Sequence, residues 1–126
     1  MVKNMFNKIS GLLVLGMFVS ACGAGADSKF DAVVVKSHGY EEGSEWCSDF
    51  NLTSEQAHAF FSNAEELSAN QYHNEYEHLD CFVKGTVSYK ASSCEFTIWA
   101  GSTAGLICGD KEYLLGCQEC EFEGAQ

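Results

Sequence analysis

The sequence contains neither proline nor arginine, and each absence excludes a class of site. Without proline the chain cannot form the cis-proline of thioredoxin-type enzymes, and its CxxC pair, Cys117 and Cys120, lies near the carboxyl end rather than in an early βαβ unit. Without arginine it lacks the planar cation that clamps carboxylates and phosphates. The G-x-S-x-G, H-E-x-x-H and P-loop motifs are also missing. We therefore predict no enzymatic activity, no catalytic residue and no cofactor.

Positive charge is scarce as well. The seven basic residues are all lysines, and they are outnumbered by 18 acids. Five of the lysines and all of the acids follow residue 21, which gives that part of the chain a formal charge of −13. This balance argues against nucleic acid, which binds a basic surface, and against electrostatic docking on anionic lipid headgroups. A basic protein or a cation is the partner class that the charge favours.

No apolar run is long enough to span a bilayer. The apolar run at residues 11–19 is far shorter than the roughly 20 residues of a transmembrane helix. Residues 1–10 contain two lysines and no acid, and a basic stretch before a short apolar core is typical of an export signal. Val19-Ser20-Ala21-Cys22 follows, and it resembles the lipobox of bacterial lipoproteins: an aliphatic residue, two small residues and an obligatory cysteine.

The lipobox resemblance implies cleavage before Cys22, diacylglycerol on its thiol and usually an acyl group on the new amino terminus. Residues 1–21 are then a signal peptide, residues 22–29 a lipidated tether and residues 30–126 a single domain. A tether of this length reaches at most roughly 25 Å, so the domain lies close to its membrane. By analogy with Gram-negative lipoproteins, glycine rather than aspartate at position 23 implies an outer-membrane location facing the periplasm.

One helix is predicted over residues 53–69. Thr53 and Gln56 have the spacing of a capping box. Apolar residues follow at helical spacing and should face the core; they are Ala57, Phe60, Phe61, Ala64 and Leu67.

Short segments of alternating polarity predict strands at 81–90, 94–100, 103–108 and 111–115, with residues 30–36 as a fifth. Three hairpin registers place apolar side chains on one face. They pair Tyr89 with Cys94 and Val87 with Phe96; Phe96 with Leu106 and Ile98 with Ala104; and Leu106 with Tyr113 and Ala104 with Leu115. The fold class is therefore α+β, with one amphipathic helix packed on a four- to five-stranded antiparallel meander sheet.

Six cysteines follow Cys22, and an even number in a small exported domain indicates disulfide bonds; they are Cys47, Cys81, Cys94, Cys108, Cys117 and Cys120. Cys94 and Cys108 are opposed on neighbouring strands, about 4.5–5.5 Å apart at their Cα atoms, and should be bonded. The other four can pair as 47–81 with 117–120 or crosswise. We favour the crosswise pairs, which would hold the carboxyl-terminal tail to the domain.

Zinc is the competing interpretation of the CxxC pair, with His73 and His78 as co-ligands and Glu77 on the same helix face as His73. Because thiols in the cell envelope tend to oxidise, we predict disulfides and no metal site.

A second apolar set lies on the side of the sheet opposite the core: Phe82, Trp99, Ile107 and Leu114. We expect residues 30–50, including Trp46, to cover these side chains. The alternative is that the side chains form an exposed binding patch. Glu95 and Glu112 would rim the patch with acid and suit a basic partner. The acidic loop at residues 41–45 would add electrostatic steering.

The cysteine-rich domain as a whole is similar to small bacterial lipoproteins, a resemblance that brings no catalytic residues with it. We therefore expect a membrane-anchored, non-catalytic binding protein of the bacterial envelope, such as an inhibitor or immunity protein against a basic cell-wall-targeting enzyme. The alternatives are a structural or assembly lipoprotein and, less favoured, a metal-binding protein.

Overall fold

A computed structural model describes residues 29–120 and residue 122. The predicted signal peptide at residues 1–21, the predicted acylation site Cys22 and residues 23–28 lie outside this range. Within it, no helix is both long enough and apolar enough to cross a membrane. In chain order, the helices and strands are β1 (Phe30–Tyr40), a 3₁₀ turn (Glu45–Cys47), α1 (Ser54–Asn63), β2 (Glu65–Glu66), α2 (Ala69–Glu75), β3 (Cys81–Tyr89), β4 (Ser92–Trp99), β5 (Thr103–Cys108) and β6 (Lys111–Gly116).

The strands form one antiparallel sheet in the order β1-β3-β4-β5-β6-β2. The predicted four-stranded meander is confirmed as β3 to β6, and the predicted fifth strand is β1, which runs four residues further than expected. β2 is a sixth strand, which was not predicted because it lies within the predicted helix at residues 53–69. The α+β class is confirmed, while the numbers of strands and helices are higher than predicted.

The predicted register of the first hairpin is wrong by two residues. Tyr89 pairs with Ser92 and Val87 with Cys94, instead of Tyr89 with Cys94 and Val87 with Phe96. The turn consists of Lys90 and Ala91, which have φ angles of 52° and 68°. A two-residue turn with positive φ at both positions matches the twist of the strands, but neither residue type indicates it in the sequence. A shift by two leaves every side chain on its predicted face.

The strain in this turn gives a stability prediction. Ala91→Gly is expected to raise the free energy of unfolding by about 0.5–1 kcal/mol, because glycine adopts positive φ without the cost of about 1–2 kcal/mol that alanine incurs. Ala59→Gly is the matched control: this exposed residue of α1 has ordinary helical geometry, so the change should cost about 1 kcal/mol. Urea denaturation of both variants checks the opposite signs, and destabilisation by Ala91→Gly would contradict the turn geometry.

The other two registers are confirmed. Phe96 pairs with Leu106 and Ile98 with Ala104, and Leu106 and Ala104 pair in turn with Tyr113 and Leu115. One face of the sheet is therefore apolar and carries the core, in which Val83, Ile98 and Leu106 are almost completely buried.

The predicted helix is too long. Its capping box is present, with Thr53 accepting from the Gln56 amide, but α1 ends at Asn63 and Ala64 is extended. Leu67 then donates its amide to the Leu114 carbonyl at 2.8 Å and is buried. A second capping box, Ser68 with Gln71, starts α2. Because the helix ends at Asn63, the residues of β2 can pair with β6 and form hydrogen bonds with part of its otherwise open edge.

Aromatic packing joins α1 to the sheet. The Phe61 ring lies 4.9 Å from Phe30 and 5.2 Å from Phe96, measured between centroids. Phe60 and Phe50 both contact Phe122. The amphipathic helix α1 therefore packs on the core face of the sheet and does not cover the opposite face.

The edge strand β1 is irregular. Its pairing with β3 shifts between Asp31 and Val34 and again between Val35 and Ser37, and Ala32 has a φ of 53°. The Val35 amide donates to Ser54 Oγ at 2.9 Å. Three features of β1 discourage edge-to-edge association with another sheet. They are its bulges, the lysine at position 36 and the hydrogen bond that occupies the Val35 amide.

Three disulfides are present. Cys94–Cys108 is confirmed, with Cα atoms 4.3 Å apart. The favoured crosswise pairing of the other four is wrong: Cys47 bonds Cys81 and Cys117 bonds Cys120. The Cys47–Cys81 bond joins the 3₁₀ turn to the start of β3, so it holds the long connection after β1. The tail is held by hydrogen bonds instead, since Ser102 accepts from the Cys117 amide and donates its hydroxyl to the Cys120 carbonyl.

Candidate functional site

The four apolar residues predicted to lie opposite the core do share one side of the sheet, which we call the second face. Phe82 pairs with Trp99, Leu114 pairs with Gly105, and Ile107 pairs with both Glu95 and Glu112. In every strand these positions alternate with buried core residues. Phe82, Trp99 and Leu114 are half-buried, and Ile107 is 52% exposed.

The second face is not covered by residues 30–50. Residues 30–40 form the edge strand β1, and Trp46 is itself 57% exposed. A shallow depression of about 550 Å³ lies on this face, and every residue that lines it belongs to a strand. The expectation that residues 30–50 cover this face is therefore wrong. Leu67 and Tyr76 pack instead against its Gly116 end, where Thr103 is buried.

Trp99 gives the depression a flat aromatic wall. A Cβ atom placed on Gly105 would lie 3.7 Å from the Cη2 and Cζ3 atoms of its indole, so the indole rests over the bare backbone of that glycine. Phe82 leans the other way over Gly39, where a Cβ atom would come within 3.1 Å of the ring. Aromatic side chains commonly cover glycines on a neighbouring strand in this manner. The two rings diverge, which opens the centre of the face between them.

The charges around the depression are balanced. Glu95 and Glu112 line it as predicted, but Lys36 and Lys84 line it as well. The Lys84 ammonium lies 5.2 Å from the centroid of the Phe82 ring, within the range of a cation–π contact. The lysines lie on β1 and β3 and the glutamates on β4 and β6. The rim is therefore basic on one side and acidic on the other, rather than acidic throughout.

The sequence contained part of the signal for the lysines. Alternation along β3 places Lys84 on the same face as Phe82, which makes it predictable once the strand is found. Lys36 shares the face of Val34, which pairs with Thr86. The bulge between Asp31 and Val34 moves both residues away from the side of Phe30, a change that alternation alone does not reveal.

The residues considered for a metal site do not assemble into one within the described part of the chain. Cys117 and Cys120 are bonded to each other, which removes both thiolate ligands. His73 and His78 do approach, with ring centroids 5.8 Å apart and Tyr72 packed against both. Because α2 ends at Glu75, Glu77 does not share a helix face with His73. No group of three or more histidine, cysteine or acidic side chains is placed to hold a metal ion in the described range.

Two groups at the ends of the sheet have shifted pKa values. Burial, aided by the Glu65 carboxylate, raises the pKa of Tyr76, whose ring packs where a Gly116 side chain would lie. A hydrogen bond and the charge of Tyr89 raise the pKa of Lys90, whose ammonium also lies 5.7 Å from the Tyr113 ring. Because Gly116 shares the second face with Leu114, Tyr76 covers one end of that face.

The predicted steering loop lies at the end of β1. Ser44 is buried within it, while Glu41, Glu42 and Glu45 are exposed. The Cys47–Cys81 bond and a hydrogen bond from the Glu41 amide to the Asp80 carbonyl fix this loop to the start of β3. Phe82 is the next residue of β3, so the acidic loop adjoins one end of the second face.

A larger depression, of about 730 Å³, lies between α1 and the Cys117–Cys120 loop and adjoins Phe122, where residues outside the described range begin. The second face is therefore the better-defined candidate site. The chain matches no protein-family model, no curated protein and no solved structure.

Proposed function

We propose that this protein is an envelope lipoprotein, acylated at Cys22, that acts as a non-catalytic binding module for a basic protein. An enzyme that attacks the cell wall is the partner class we favour, with the lipoprotein as its inhibitor or immunity protein. The location would be the outer membrane, facing the periplasm. The observation that supports the proposal is the second face. It is an apolar depression on a disulfide-bonded sheet, with two lysines on one side of its rim and two glutamates on the other.

The second face has the features of an interaction surface. Trp99 is a large aromatic side chain that forms a wall of a concave patch, and such residues dominate the binding energy of protein interfaces. Its position is fixed by β4, which is paired on both sides and is joined to β5 by Cys94–Cys108. A rigid site loses little conformational entropy when a partner binds, so more of the contact energy appears as affinity.

The charge distribution favours a basic partner both at long distance and at direct contact. The formal charge of −13 after residue 21 attracts a basic protein over distance and raises the rate of encounter. At contact, Glu95 and Glu112 would take basic side chains of the partner, while Lys36 and Lys84 would take an acidic one. Such a two-sided rim selects orientation more than it adds affinity.

Trp99→Ala is expected to weaken capture of the partner by at least about tenfold, because truncating an aromatic anchor commonly costs about 2 kcal/mol or more. The measurement is chemical cross-linking of intact cells, with adducts identified by mass spectrometry. Trp46→Ala is the matched control, because Trp46 is also exposed but lies outside the second face. The absence of any stoichiometric protein partner, or equal losses in both variants, would contradict the proposal.

A further inference from the structure

The second face is balanced in charge on an otherwise acidic protein. Two of the five lysines that follow residue 21 line it, together with two glutamates. The two lysines lie on β1 and β3, whereas the two glutamates lie on β4 and β6, so the positive side and the negative side meet between β3 and β4. A surface with opposite charges on its two sides is complementary to a copy of itself turned about a two-fold axis.

We propose that a second copy of this chain occupies the second face when no other partner is bound. The two sheets pack face to face about a two-fold axis that lies in the interface, parallel to the strands and between β4 and β5. This dimer deepens the proposed function, since it would shield the same site until a partner displaces the second copy.

The strand order decides which residues meet. An axis between β4 and β5 sets β3 of one copy opposite β6 of the other. Lys84 then lies opposite Leu114 of the other copy, one pleat from Glu112, and β1 with Lys36 lies opposite β2, which is Glu65–Glu66. Glu95 lies opposite Ile107 rather than opposite itself. Trp99, which leans toward β5, contacts its own symmetry mate near the axis.

The tethers are compatible with this axis. Phe30 begins β1 opposite Tyr89, beside the Lys90-Ala91 turn. A two-fold axis parallel to the strands leaves the first residues of β1 at the same end of both copies, so the two proposed tethers reach one membrane. An axis across the strands would send them in opposite directions. This step rests on the proposed lipid anchor, whereas the charge pairing does not.

The interface is small. Four strands about 4.8 Å apart and six residues about 3.3 Å apart cover roughly 400 Å² per copy. Stable interfaces bury about 800 Å² per partner, so the dimer in solution should be weak. Confinement of both copies to one membrane raises their effective concentration and favours the pair. A weak dimer is also one that another protein can displace.

Sedimentation equilibrium of the exported chain carrying Cys22→Ser, which removes the acylation site, tests the proposal at concentrations up to about 1 mM. We expect reversible monomer–dimer exchange. Lys84→Glu and Glu112→Lys should each weaken the dimer at least about fivefold, and the double variant should recover it, because reversal of both charges restores the pair. A wild-type chain that stays monomeric at 1 mM, or a double variant no better than the singles, would overturn the proposal.

Zero-length carbodiimide cross-linking of the lipidated protein in membranes provides the second measurement. It should join the Lys84 amine of one copy to the Glu112 carboxyl of another, a bond identified by mass spectrometry of isotopically mixed chains. Cross-links within one copy only would overturn the dimer. Neither result depends on a heterologous partner: failure of self-association leaves partner capture to be measured, and failure to capture a partner leaves the dimer intact.

Discussion

Replacement of Cys22 by serine is expected to move the protein from the membrane fraction to the soluble periplasmic fraction. Serine cannot form the thioether that carries diacylglycerol. Each buried methylene of an acyl chain contributes about 0.8 kcal/mol, and stable anchoring needs at least two chains. The acidic domain offers no electrostatic attachment that would replace them. The expected redistribution is therefore nearly complete.

Cell fractionation with immunoblotting measures this change, and mass spectrometry of the mature amino terminus identifies the acyl groups. Ala26→Ser, in the proposed tether, is the control and should leave the protein on the membrane. If the wild-type protein starts at a residue other than Cys22, carries no fatty acid or stays inside the cell, the proposed anchor is wrong.

Loss of the Cys47–Cys81 disulfide is expected to be the most destabilising of the three disulfide deletions. This bond closes the longest loop, with a sequence separation of 34, against 14 for Cys94–Cys108 and 3 for Cys117–Cys120. Chain entropy gives about 4, 3 and 2 kcal/mol for loops of these sizes. Cys47 and Cys81 are also fully buried, so their replacement by alanine leaves a small cavity.

The loss is large compared with the 5–15 kcal/mol by which domains of this size are usually stable. For Cys47→Ala combined with Cys81→Ala, we expect Tm to fall by roughly 15–30 °C. Scanning calorimetry of this variant beside the double alanine variants of the other two pairs checks the order. The Cys117 and Cys120 pair is the control, and a larger loss there than at Cys47 and Cys81 would contradict the loop-closure argument.

The sheet was more predictable from the sequence than the connections around it. Alternation has a period of two residues, so the register error at Lys90 and Ala91 left every core residue of β3 and β4 on its correct face. The second face was found for the same reason. What alternation cannot specify is whether such a face is covered, because that depends on where β1 attaches to the sheet.

The errors have local causes. The predicted helix runs past Asn63 because Ala64 and Leu67 continue its apolar spacing. The capping box of Ser68 and Gln71, which begins a second helix, was not recognised in the sequence. The crosswise disulfides failed because Cys47 lies in a short 3₁₀ turn whose position no sequence pattern predicts. Lys36 was missed because the bulge between Asp31 and Val34 changes the face of the residues that follow it in β1. Capping, turns and bulges depend on single residues and give weaker signals than a repeated pattern.

We propose above that the second face holds a protein partner at the membrane. The most direct test of this proposal is a photoreactive phenylalanine analogue placed at Ile107 of the full, lipidated chain and irradiated in intact cells, with the same analogue at Trp46 for comparison; these sites are 52% and 57% exposed. If the second face binds the partner, we expect a specific adduct with a basic envelope protein from position 107 and none from position 46. Position 107 without any heterologous adduct, or both positions with the same adducts, would contradict it.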